Sequence, residues 1–285
     1  MSVLKLPFQP SPGLKKELDF FARTSDGLAM YSEIQTPGDV IPWIETNPDY
    51  VDLKAFVNRF PPGPLLDVGV GWGLTSAYLA LKGFKVTSLD PSLESCQGLE
   101  AFLKRLAIEA AVCCGTAEAM DELGYDFDYV VFWSSLHHCD DPLAALQNAY
   151  KFLHPGGWLV LYEPVLRFFR TKKWFYRMME KDPQKIGHYG GNEHIYRYGE
   201  YLHLLTQAGF NNISATPSLR YLLNPKRAPW DHKARWFFKK SYYRATRRLV
   251  SSTTIIHRTL LRLSLLTPLI AAQTPASPYG PRSDA

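Results

Sequence analysis

The chain has no Cys-x-x-Cys pair, no N-terminal apolar run long enough for a secretory leader, and no internal repeat. Its four cysteines, Cys96, Cys113, Cys114 and Cys139, follow no even, secretory-looking spacing, which points to a reducing compartment. With no leader-like start, a cytoplasmic protein is expected. Acid is scarce at the other end. From Arg220 to Arg262 twelve Lys or Arg face a single acid, Asp231, so elsewhere 20 of the 32 bases meet 26 of the 27 acids. A long apolar run free of charge is also missing there. The stretch "VSSTTIIHRTLLRLSLLTPLIAA" carries Arg258 and Arg262 one helical turn apart and is interrupted by Pro268, which argues against a spanning helix.

What is present is a 285-residue chain, 46% hydrophobic and 21% charged, with 16 Tyr, 16 Phe and 7 Trp. That length can bury a sizeable core, and the ring count favours a pocket or surface built from aromatic faces. The charge asymmetry implies parts with different work. Residues 1–63 carry helix-like patches, "LKKELDFFART" and "YVDLKAFVNRF", before the breaker run "PPGP", and are read as a helical N-terminal cap.

After the cap the period changes. Short apolar runs, "PLLDVG", "FKVTSLD", "EAAVCCG", "DYVVFWSS" and "WLVLYEP", alternate with amphipathic segments such as "SLESCQGLEAFLKRLA" and "PLAALQNAYKFLHPGG". The expected fold is α/β, a doubly wound, Rossmann-like, mostly parallel sheet with helices on both faces. The domain is placed at 64–220, with a basic, aromatic, glycine-broken lid insertion at about 165–197 and a last helix and strand in "YGEYLHLLTQAGF" and "NNISATPS". Residues 221–285 are read as a basic C-terminal extension. Residues 226–272 of it are expected to meet an anionic membrane surface, peripherally at the inner face, and the end from "AAQTPASPYGPRSDA" is expected to lack order.

The first strand runs into "DVGVGWG". A glycine turn between a strand and its helix lets a ligand reach backbone amides at a helix N-terminus. A dinucleotide fingerprint, G-x-G-x-x-G, needs glycine at position 74, where Leu74 stands, and a P-loop lysine is absent. The pattern present is D-x-G-x-G-x-G: Asp67, then Gly69, Gly71 and Gly73, with Trp72 in the turn and Asp90-Pro91 closing the second strand. In this the chain resembles the class I S-adenosylmethionine-dependent methyltransferases, in particular the branch called methyltransferase type 11. The likeness runs from about Leu65 to Pro164 and includes "FWSSLHHCDDP" and "HPGG".

The resemblance implies S-adenosyl-L-methionine as cofactor. Asp67 would meet its amino group, Asp90 its ribose, and Thr116, Ala117 or Glu118 its adenine, although the usual acid after strand three is displaced here. Trp133 and Ser134 would border the methionine part. A small-molecule acceptor follows from the absence of an Asn-Pro-Pro-Tyr box. A saccharide or lipid-linked acceptor leads, with O-methylation favoured over N or C, and an aromatic natural product is the rival. RNA methylation and a non-catalytic module that docks a partner through the basic segment stay open.

Catalytic candidates are His138 and His137, with His188 and His194 in the lid beside Tyr189, Glu193 and Tyr196; any of them can act as an acid or base near neutral pH. "HHCDD" imitates a metal cluster, but adjacent side chains diverge and no second cluster offers partners. No metal is expected, and Asp140 or Asp141 is read as a cap for the helix begun by Pro142.

Overall fold

The computed structural model describes residues 3–23, 33–120, 123–124, 126–167, 169–181, 192–218 and 268–275. Its centre is an eight-stranded sheet in the order β1-β4-β3-β2-β5-β6-β8-β7. The strands are β1 (Leu4–Lys5), β2 (Pro64–Val68), β3 (Lys85–Asp90), β4 (Ala111–Cys114), β5 (Phe127–Trp133), β6 (Leu153–Tyr162), β7 (Asn212–Pro217) and β8 (Pro268–Gln273). Strands β1 to β6 are parallel, and β8 enters antiparallel between β6 and β7.

The helices follow from the sequence locally. Helix α1 (Pro12–Arg23), α2 (Pro37–Thr46) and α3 (Val51–Arg59) precede the sheet's centre. Helix α4 (Leu74–Leu81) starts at Gly73, and α5 (Leu93–Arg105) starts where the Ser92 hydroxyl accepts the Ser95 amide. Helix α6 (Pro142–Phe152) is capped by Asp141, whose Oδ1 accepts the amides of Leu143 and Ala144, with Pro142 at the first position where no amide is needed. Helices α7 (Lys172–Lys181) and α8 (Tyr198–Gln207) complete the set among the described residues.

Side chains alternate across the sheet, so each strand feeds two cores. Leu65, Val86, Tyr129, Val131, Val160 and Ala271 pack with Val40, Ile44 and Phe56 of the cap helices and Leu79 and Leu99 of α4 and α5. On the other face Leu66, Val130, Phe132, Leu159 and Ala272 meet Ala145 and Leu146 of α6 and Tyr201 and Leu205 of α8.

Two expectations need correction. The end of the stretch expected to meet a membrane turns its side chains into the core instead, and residues 271–275 do not lack order: Leu269, Ile270, Ala271 and Ala272 are buried in β8. The sheet therefore does not close at residue 220; it needs a strand from beyond the basic stretch, and it gains an edge strand, β1, from the cap. The rest of the expected membrane segment, 226–267, and the "lid" histidine His188 lie outside the described residues. Among the described residues, no helix is long and apolar enough to cross a membrane.

Candidate functional site

A cavity of about 590 Å³ opens at the carboxyl ends of β2, β3, β4 and β5, where the strand order reverses. In open α/β sheets ligands bind at such a switch point. Its floor is the glycine turn. The Gly69 amide bonds to the Leu89 carbonyl at 2.7 Å and the Gly73 amide to the Val70 carbonyl at 2.8 Å, which fold the turn back on β3. The glycines differ in what requires them. A Cβ on Gly73 would collide with the Leu99 side chain, so that position serves the packing of α4 against α5. Gly71, with φ +51°, faces open space: no protein atom lies within 4 Å of its virtual Cβ. A backbone kept bare toward a cavity rather than toward neighbours is what a close-fitting ligand needs.

Asp90 stands on the cavity wall and is buried. Its Oδ1 accepts the Ser92 amide at 2.9 Å and its Oδ2 the Gly71 amide at 3.3 Å. Burial pushes its carboxyl up to about 6, against the pull of these amides. The helix cap itself is Ser92, not Asp90. Asp67 is placed differently from expectation. It is not among the cavity-lining residues; its Oδ2 accepts the Ser76 hydroxyl at 2.7 Å beneath the turn, and burial pushes its carboxyl up to about 7. Its Oδ1 is buried with no partner.

The other expected residues converge. Trp72, Pro91, Thr116, Ala117, Glu118, Trp133 and Ser134 all line the cavity. Asn148 of α6 donates to the Ala117 and Glu118 carbonyls and so fixes the loop after β4. Trp133 stacks on Tyr162, with ring centres 4.7 Å apart. Ser134 has φ +61°, and its amide bonds to the Tyr162 carbonyl at 2.7 Å.

Sequence reading missed the opposite wall, formed by Leu14, Glu17 and Leu18 of α1, by Trp43 of α2, and by Asn47 and Tyr50 after α2. A signal existed for Glu17, an acid between two leucines on the buried side of an amphipathic helix. None existed for Trp43 or Tyr50 beyond their being rings.

The catalytic candidates separate. His138 lines the cavity and its Nδ1 lies 3.3 Å from Glu17 Oε1. His137 is buried behind it, Nδ1 to Glu163 Oε2 at 2.6 Å, and the same carboxylate accepts the Ser135 and Leu136 amides through Oε1. Burial holds the His137 imidazole below its ordinary value. His194 donates its amide to the His137 carbonyl and is not on the cavity wall. The expectation that "HHCDD" finds no partners elsewhere is also corrected: the two rings lie 4.0 Å apart, and Glu193 and Glu17 reach them from distant segments. Adjacent residues converge because they sit in a tight 3₁₀ turn, Leu136–His138, rather than on a strand.

A methyltransferase domain family matches residues 45–215. The ubiquinone biosynthesis O-methyltransferase of Parvibaculum lavamentivorans is 31% identical over 107 residues, which cover 38% of this chain and 42% of that protein. The chain spans less than half the length of the curated relatives it matches. Among solved structures, Haemonchus contortus phosphoethanolamine N-methyltransferase 2, in complex with phosphomonomethylethanolamine and S-adenosylhomocysteine, aligns with TM-score 0.56 at 16% identity, covering 91% of this chain and 60% of that one. The [4+2]-cyclase SpnF aligns with TM-score 0.54 at 14% identity, covering 96% and 100%. Those two show the fold alone. With its family match running through the glycine turn and the switch-point cavity, the chain belongs to the methyltransferase domain family, in the class I arrangement that uses S-adenosylmethionine.

Proposed function

We propose that this protein moves the methyl group of S-adenosylmethionine to a hydroxyl of a small, ring-bearing molecule. The observation that carries the reading is one cavity with two differently built walls. Gly71 and Asp90 form one, and Trp43, Tyr50, Glu17 and His138 form the other. The cofactor supplies an activated methyl on a sulfonium; the protein's residues hold, align and exclude water.

Asp90 is assigned to the ribose hydroxyls, since a carboxylate at this place accepts from both. The loop Thr116–Glu118, braced by Asn148, is assigned to the adenine. Trp133 and Ser134 are assigned to the methionine part. Asp67, beneath the turn, supports the turn and the charge of the amino group from behind it rather than by direct contact. The acceptor then sits under α1 and α2 against ring faces, which suit an aromatic acceptor and equally the flat face of a sugar. A hydroxyl at that end has the Glu17–His138 pair to take its proton. Support for oxygen as acceptor atom comes from the relatives named O-methyltransferases.

The test is transfer of labelled methyl from S-adenosylmethionine to a panel of phenols, sugars and lipid-linked sugars, with His138→Gln run beside the parent. Transfer to a hydroxyl that falls at least tenfold in His138→Gln, with unchanged binding of S-adenosylhomocysteine, is expected. Binding of the cofactor with no transfer to any hydroxyl compound would remove this reading, since one fold can host different activities.

A further inference from the structure

Five ionisable side chains from four segments close on one another behind His138. Glu17 comes from α1, His137 and His138 from the turn after β5, Glu163 from the end of β6, and Glu193 from the segment before α8. All are largely buried: their side chains are 7%, 9%, 19%, 1% and 9% exposed. Three carboxyl groups and two imidazoles are thus gathered out of water, where ionisable groups need close partners.

The spacing is that of a ligand set. One donor atom each from His137, His138 and Glu193 lies within 4.8 Å of the other two. His137 Nε2 is 4.0 Å from Glu193 Oε2, His138 Nδ1 is 3.8 Å from Glu193 Oε1, and Glu17 Oε1 is 3.3 Å from His138 Nδ1. A tetrahedral ion with bonds of about 2.0–2.1 Å spaces its ligands about 3.3 Å apart, so donors that lie within 4.8 Å of one another need draw in by at most about 1.5 Å. The outer contact is in place as well. His137 gives its other nitrogen, Nδ1, to Glu163, and a carboxylate on the far nitrogen is how ligating histidines are oriented and made more basic.

We propose that His137, His138 and Glu193 form a divalent transition-metal site of the zinc class at the acceptor end of the cavity, with the fourth position left to water or substrate. Two imidazoles select zinc over magnesium, which prefers an all-oxygen octahedron. The ion fastens the 192–197 segment to the turn after β5, two parts that lie far apart in sequence. The inference does not depend on which molecule is methylated, but a His138 held by the ion cannot itself take the acceptor's proton, a step that then falls to Glu17 on the cavity wall. An acceptor hydroxyl at that edge would lose its proton more readily beside a dication.

The test uses the full chain, freed of metal by chelation, titrated with Zn²⁺ by calorimetry and with Co²⁺ by visible absorption. Expected are one ion per chain, cobalt bands of a four-coordinate nitrogen–oxygen site, and little response to Mg²⁺. Glu193→Gln should weaken zinc by more than tenfold and erase the cobalt bands. Glu163→Gln should weaken it about 10–100-fold, as loss of an outer partner does. S-adenosylhomocysteine binding is the control for folding. Absence of a stoichiometric ion in the parent, or equal zinc affinity in the parent and Glu193→Gln, overturns the proposal; if cofactor binding and methyl transfer persist in those samples, the functional reading stands without it.

Discussion

Replacing Asp90 by asparagine should separate ligand binding from stability, because the carboxylate serves the first at the expense of the second. Raising its carboxyl from an ordinary 3.8 to about 6 means that holding it ionised at pH 7 costs the unliganded fold about 3 kcal/mol. That figure is already net of the amides of Ser92 and Gly71, one of which asparagine's own oxygen can keep. With the cost of the buried charge gone, Asp90→Asn should melt no lower than within a few degrees of the parent. Its affinity for S-adenosylhomocysteine should fall much further. Two ribose hydroxyls donating to a charged oxygen are together worth about 3 kcal/mol, and at 1.4 kcal/mol per decade the loss is about 100-fold. Calorimetric titration and thermal melts on the same samples decide it. Parent-like affinity, or a loss of affinity matched by a loss of stability of similar size, would refute the assignment of Asp90 to a ligand.

Other outcomes follow from the same geometry. The affinity for S-adenosylhomocysteine should drop about tenfold per pH unit below about pH 6, as Asp90 takes up its proton and can no longer accept from the ribose; a flat profile from pH 7 to 5 counts against it. Stability of the unliganded protein runs the other way. The folded chain holds the protons of Asp67 and Asp90 more tightly than the unfolded chain, so their contribution is fully present below about pH 4 and is lost as pH rises to about 7, which melts across that range will show. Gly71→Ala should cost about 1 kcal/mol of stability yet abolish cofactor binding. Gly73→Ala should cost about 2–4 kcal/mol, because it adds a clash with Leu99 to the strain of a left-handed backbone. Truncation after residue 267 should leave the protein unfolded by circular dichroism, since it removes buried Ile270 and Ala272 from between two strands.

The parts legible in the sequence were those whose signal is local. Strands β2 to β6 read correctly because each is a short apolar run punctuated by Gly, Pro or Asp, and the glycine turn read correctly because Leu74 excluded the rival ligand. Strand β8 did not, since "PLIAAQ" begins with proline and follows a basic stretch whose charge overshadowed it. Only its antiparallel partners, β6 and β7, reveal it as a strand. The site behind His138 was illegible for a different reason. Glu17, Glu163 and Glu193 have no fixed spacing from "LHH", and the topology alone brings them together. Asp67 shows the limit in the other direction: the motif named the residue, but which way a carboxylate faces at a strand end depends on Ser76 of the next helix.

Strand β8 also dictates the order in which this chain can finish folding. Synthesis proceeds from the N-terminus, so β6 and β7 are made with open edges before the strand that covers both. Pro217 and Pro268 are register partners, so the connection between β7 and β8 starts and ends at one end of the sheet. The basic stretch thus lies in a connection between two paired strands. Whatever it binds during synthesis would stand between the nascent sheet and its closing strand.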